Sequence, residues 1–140
     1  EVQPEKIVTL FKQQYLDAAS PLVLTGYQIN RENDADQLTA RLTENGNDIS
    51  LNGQASGVVG AFVNALETHT GKQIVLVEYN EHTLSQADGA AADAVTYVQL
   101  NIDGQRYCGV GQSSDIVEAS LRAILSAVNQ PLALGAHLAA

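Results

Sequence analysis

Gly53-Gln54-Ala55-Ser56 and Gly111-Gln112-Ser113-Ser114 are two versions of one segment, each followed by an apolar pattern of helical spacing. An offset of 58 residues (53 to 111) also matches Val59 with Val117, Ala61 with Ala119 and Ala65 with Ala123, without a gap. The same offset lays Asn45-Gly46 on Asp103-Gly104. Asn-Gly and Asp-Gly tolerate the two positive φ angles of a tight type I′ hairpin, so two turn signals fall in register. The chain reads as a duplicated supersecondary unit.

Working outward, Leu38, Ala40 and Leu42 alternate with Thr39, Arg41 and Thr43, the period-two pattern of a strand with one covered face. Before it, Leu22 to Ile29 predicts a strand and the polar interval Arg31 to Asp36 a loop. After the turn, Ile49 and Leu51 mark a third strand, and Val59, Phe62, Val63 and Leu66 a helix that Gly71 ends. The second unit repeats the order: strands at Ile74 to Tyr79, Val95 to Ile102 and Gln105 to Gly111, then a helix from about Asp115 to Asn129. Asp115 and Glu118 have capping-box spacing. One three-stranded sheet with one helix buries too little to stand alone. The expected fold is therefore α+β, with duplicated β-β-β-α units related by a pseudo-twofold axis, repeat one over 21–71 and repeat two over 72–130. A helix over Pro4 to Ala18, within a linker spanning 1–20, precedes them, and 131–140 forms a tail. The repeats differ most at Glu81 to Ala94, an expanded loop in the second unit.

The 140 residues carry 16 Asp and Glu against 7 Lys and Arg, a net charge of −9. That field repels phosphate backbones and anionic lipid, which argues against nucleic-acid and membrane partners. No apolar run approaches the ~20 residues of a membrane span, and the expectation is a cytoplasmic protein. The single Cys108 sits in an alternating strand pattern and reads as a small buried residue. With five Tyr, two Phe and no Trp, the core must be built from small aliphatic side chains. His69, His82 and His137 lack metal-ligand spacing. His69 and His137 read first as surface histidines, with the carbonyls of its helix end the other partner offered to His69, and His82 is placed to orient the expanded loop.

Gly53-x-x-x-Gly57 and Gly109-x-Gly111 precede helices, yet no Lys follows as a phosphate-binding loop requires, and no Gly-x-Gly-x-x-Gly opens a βαβ unit. A glycine- and serine-rich helix start still offers free N–H groups and a positive dipole end to a carboxylate. Acceptors in the expanded loop suit an ammonium group, so an amino-acid site is one reading. The other is that Ser56 and Ser114 merely cap their helices.

Several ordered blocks resemble one family. Pro4-Glu5-Lys6-Ile7, Ala61-Phe62-Val63-x-Ala65-Leu66, Glu78-Tyr79-Asn80-Glu81-His82, Gly109-Val110-Gly111, Ala119-Ser120-Leu121-Arg122-Ala123 and Ser126-Ala127-Val128-Asn129 are similar to the carboxy-terminal regulatory domain of long-form 2-isopropylmalate synthases. The resemblance implies a duplicated module that forms a homodimer and binds leucine for feedback inhibition of leucine biosynthesis. It places Ser56, Gly57, Val59 and Gly60 around the effector, with Leu76 and Tyr79 lining the pocket and Thr83, Ala90 and Ala92 closing it. It implies no catalysis and no cofactor for this chain. The divalent metal, held by H-x-H, belongs to a catalytic TIM barrel of the same full-length chain. Where the family has G-N-G-P, this sequence has Ala55-Ser56-Gly57-Val58. The change leaves open an isoleucine sensor of a citramalate-synthase relative, or a domain that only dimerises.

Overall fold

The computed structural model describes residues 20–83 and 93–139. Their order is β1 (Leu22–Glu32), β2 (Ala35–Glu44), β3 (Asn47–Ala55), α1 (Val58–Thr70), β4 (Ile74–Thr83), β5 (Ala94–Ile102), β6 (Gln105–Ser113) and α2 (Ile116–Ala139). Two antiparallel sheets, β1-β2-β3 and β4-β5-β6, each lead into a helix, which is the duplicated α+β arrangement expected. The expected helix over Pro4 to Ala18 and most of the expanded loop lie outside the described residues.

Asn45 and Gly46 adopt φ of 50° and 87°, and Asp103 and Gly104 adopt 50° and 88°, so both predicted turns form alike. Their flanks match as well: Asn45 N–H donates to Pro21 O and Asp103 N–H to Gln73 O, both at 2.9 Å. The first strands share a second offset, 52 residues (22 to 74), and both carry a register shift, between Leu24 and Gly26 in β1 and between Leu76 and Glu78 in β4.

Three local expectations change. The interval Arg31 to Asp36 is mostly strand: Arg31 pairs with Asp36 and Glu32 with Ala35. Only Asn33 and Asp34 turn, at φ of 53° and 63°, because short polar side chains tolerate the left-handed region. Glu81, His82 and Thr83 likewise extend β4 beyond its expected end at Tyr79. The last helix passes through Pro131 instead of ending at Asn129. The Gln130 side-chain amide holds it there, its Nε2 donating to Cys108 O at 2.6 Å and to Ser126 O at 3.2 Å, and Leu132 packs on the core beyond.

One core serves both units. Leu38, Leu42, Phe62 and Leu66 of the first join Val98, Leu100, Leu121 and Ile124 of the second. Each helix lies directly on a strand glycine of its own unit. A Cβ on Gly53 would stand 1.9 Å from Ala61 O, and one on Gly111 2.1 Å from Ala119 O. These glycines are thus contact points of helix backbone on sheet, not parts of a phosphate loop. Buried Asn129 closes the circle between the ends of the fold: its Oδ1 accepts from Leu22 N–H at 2.9 Å and its Nδ2 donates to Leu22 O at 2.8 Å.

Cys108 is half-buried, with the Tyr97 hydroxyl donating to its sulfur at 3.2 Å. His69 meets a carboxylate and not helix carbonyls, its Nε2 lying 2.9 Å from Glu44 Oε2. Among the described residues no helix is long and apolar enough to cross a membrane.

Candidate effector site between the two helix starts

The two helices begin differently, although their first hydrogen bonds coincide: Ala61 N–H donates to Gly57 O at 3.0 Å and Ala119 N–H to Asp115 O at 2.9 Å. At α1 the capping residue is Gly57, extended at φ −145° and ψ 162°, and no side chain bonds the first turn. Ser56 therefore does not cap, which removes the simpler account of that serine. The amides of Val58, Val59 and Gly60 precede the first intrahelical donor and point outward unpaired by the helix. No acidic residue occupies that turn, so its positive dipole end is unneutralised.

Beside this bare start lies a partly open cavity of about 280 Å³. Gly57, Val58, Val59 and Gly60 form one wall, Tyr79 and Glu81 of β4 a second, and Ile116, Val117 and Ser120 of α2 a third. The size falls just below the ~300–1,000 Å³ of sites for drug-sized ligands, which suits a molecule as small as an amino acid. Tyr79 is the polar centre. Its hydroxyl donates to Glu81 Oε1 and sits 2.6 Å from Ser120 Oγ, which in turn lies 3.5 Å from Thr96 Oγ1. Burial, then the hydrogen bond to the Glu81 carboxylate, pushes the Tyr79 pKa up to about 12. The phenol stays protonated at neutral pH and acts as a donor.

Of the residues expected from sequence, Gly57, Val59, Gly60 and Tyr79 come together here. Ser56, Leu76 and Thr83 are not on the cavity wall, and Leu76 is 38% exposed. Ala90 and Ala92 lie outside the described residues. Sequence reading missed Val58, Glu81, Ile116, Val117 and Ser120. The 58-residue offset carried a usable signal, since Ile116 and Val117 are the counterparts of Val58 and Val59.

At α2 the cap is complete. Asp115 Oδ1 accepts from Val117 N–H at 2.9 Å, and Asp115 Oδ2 accepts from the Tyr27 hydroxyl. The capping box expected of Asp115 and Glu118 closes through an intermediary: Asp115 N–H donates to Ser113 Oγ at 3.1 Å, and that hydroxyl donates to Glu118 Oε2 at 2.7 Å. The bond to Asp115, with burial and the nearby charges, pushes Tyr27 up to about 12.

Fold and cavity together define a duplicated α+β module with an amino-acid-sized recess at one helix start. The chain belongs to the LeuA allosteric (dimerisation) domain family, whose profile matches residues 1–132. It is 36% identical over 136 residues to the 2-isopropylmalate synthase of Clostridium acetobutylicum, covering 93% of this chain and 24% of the relative. The enzyme of Corynebacterium glutamicum is 33% identical over 135 residues, covering 94% and 21%, and that of Mycobacterium leprae 32%, covering 94% and 22%. The chain thus spans between 21% and 24% of the length of these relatives.

Proposed function

We propose that this chain is the regulatory and dimerising module of a 2-isopropylmalate synthase, and that the cavity at the start of α1 takes leucine as feedback effector. The observation that carries the reading is the uncapped first turn of α1 facing Tyr79 across an apolar-walled recess. The α-carboxylate is assigned to the Val59 and Gly60 amides, where the helix dipole favours an anion. The ammonium is assigned to the Glu81 carboxylate, and the branched side chain to Val58, Ile116 and Val117. Shape alone separates leucine from isoleucine by about 1–3 kcal/mol, so a preference of roughly ten- to two-hundredfold is what such walls supply.

Catalysis, and the divalent metal with it, belongs on this reading to the remainder of the enzyme. Among the described residues no cluster of three or more His, Cys, Asp or Glu stands ready for an ion. Val23 of β1 and its counterpart Val75 of β4 are 48% and 51% exposed on edge strands, and Val77 follows at 44%, which supports a homodimer formed through apolar surface of these strands. Feedback requires leucine to bind two states of the whole enzyme unequally, and a dimeric module joined to both catalytic parts is suited to transmit that difference.

Calorimetric titration of the purified chain with leucine, isoleucine and valine, with light scattering on the same sample, tests the reading. Saturable binding by a dimer, strongest for leucine and weakened by Tyr79→Ala, is the expected result. A dimer that binds none of the three would leave a module that only dimerises, and tighter isoleucine binding would reassign the effector.

A further inference from the structure

We propose that the start of α2 is a second carboxylate site, closed by a ligand the chain supplies itself, the side chain of Asp115. The inference rests on the reading above in one respect, that the cavity at α1 is a ligand site. The two internal offsets place Asp115 on Gly57 and Tyr27 on Tyr79. Every donor that holds the Asp115 carboxylate has a counterpart at the cavity. Val117 N–H corresponds to Val59 N–H, and the Tyr27 hydroxyl to the Tyr79 hydroxyl. What the cavity lacks is the carboxylate. Residue 57 has no side chain, and a Cβ built there meets nothing within 4 Å.

The surroundings diverge in the same sense. Near the Tyr79 hydroxyl stand Glu81, Ser120 and Thr96. Their counterparts in the first unit are Ile29, Phe62 and Leu38, all members of the apolar core or packed against it. Among the described residues Tyr27 consequently hydrogen-bonds through its hydroxyl to Asp115, in a partly buried setting. The Tyr79 hydroxyl donates instead to Glu81, so an incoming carboxylate replaces Glu81 as the acceptor of that hydrogen bond, with the phenol still protonated, and frees Glu81 for the ligand's ammonium group. One half of the duplication thus carries its carboxylate covalently, and the other, with glycine at position 57, leaves that place to a small external one. The ligand class of the opened α2 site is a small monocarboxylate.

The test is chemical rescue of Asp115→Gly, followed by thermal melting in sodium acetate, sodium chloride or acetamide at matched concentration, and matched ionic strength for the two salts. The expected result is a lowered melting temperature that acetate restores saturably and chloride and acetamide do not, with the acetate response reduced when Tyr27→Phe is added. Acetate acting no better than chloride would overturn the proposal and leave Asp115 an ordinary helix cap. Should Asp115→Gly fail to fold, Gly57→Asp against Gly57→Asn, each with Tyr79 and with Tyr79→Phe, decides, because Asp and Asn are similar hydrogen-bonding caps and the dipole's preference for Asp does not depend on the Tyr79 hydroxyl. An advantage of the Asp over the Asn variant in melting temperature that shrinks when Tyr79 is Phe supports the built-in carboxylate; an advantage unchanged by Tyr79→Phe, or none, refutes it. Neither readout uses leucine, so a parent chain that binds no amino acid would sink the proposed function and leave this result standing.

Discussion

Replacing Gly111 by Ala adds one methyl group where the structure has no room for it. The new Cβ would stand 2.1 Å from Ala119 O, 2.5 Å from Ala123 N and 2.9 Å from Arg122 Cβ. Two of these are backbone atoms of α2, so no side chain can swing aside, and the helix must retreat by about 1 Å to reach ordinary contact. That retreat loosens the seam under Ala119, Leu121, Ala123 and Ile124, all fully buried. Overpacking of this kind costs about 1–3 kcal/mol. The stiffer unfolded chain of an alanine variant returns at most about 1 kcal/mol. At this size each kcal/mol is worth roughly 3–5 °C, so the melting temperature should fall by several degrees. Gly53→Ala should behave alike, its Cβ lying 1.9 Å from Ala61 O. Gly57→Ser is the control, because nothing lies within 4 Å of its Cβ and serine is a good capping residue. Melting is followed by circular dichroism at one protomer concentration, since association shifts the apparent stability. If Gly111→Ala melts together with Gly57→Ser, the close helix-on-glycine packing is wrong.

Asn129→Ala should cost about 2–4 kcal/mol in urea denaturation, because it strands both the buried N–H and the C=O of Leu22. Tyr27, Tyr79 and Tyr97 are each raised from 10.0 to about 12, so tyrosinate absorbance should show three late ionisations, one of them lost in Tyr27→Phe. The raised values mean that the folded state favours the neutral phenols. Their stabilisation is complete below pH 10 and is lost as the pH rises toward 12. Glu81→Gln should weaken leucine binding roughly tenfold to hundredfold, the worth of a charge-assisted hydrogen bond, with little change in melting. Unaltered affinity in calorimetry would remove Glu81 from the ammonium site.

The repeat, the two Asn-Gly and Asp-Gly turns and the strand alternation were legible because each depends on local chemistry: side-chain period, tolerance of positive φ, the gap left by a missing Cβ. The Asn33-Asp34 turn escaped because neither residue is glycine, although both are among the few side chains that accept that conformation. The passage of α2 through Pro131 escaped because tertiary bonds from Gln130 and packing of Leu132 outweigh the lost helical hydrogen bond. At the site, Tyr79 and the α1 start were legible from family likeness. Glu81, Ile116 and Ser120 were not, since they join the cavity only when β4 and α2 converge on it.

What the two halves kept and what they changed separate packing from recognition. Gly53 and Gly111, Ala61 and Ala119, Ala65 and Ala123 remain identical pairs, and each lies where a helix backbone rests on a strand. Any side chain larger than these would push helix from sheet in either unit, so both halves are held to the same residues by the same sterics. Four of the pairs that diverged, Gly57 with Asp115, Ile29 with Glu81, Leu38 with Thr96 and Phe62 with Ser120, surround the two equivalent tyrosine hydroxyls. Three of the four put a polar group where the first unit has an apolar one, which costs burial unless the polar group finds a partner. The tyrosines' own partners are Asp115 for Tyr27 and, on the proposed function, the carboxylate of a bound ligand for Tyr79, so one difference in where the carboxylate comes from relates all four changes.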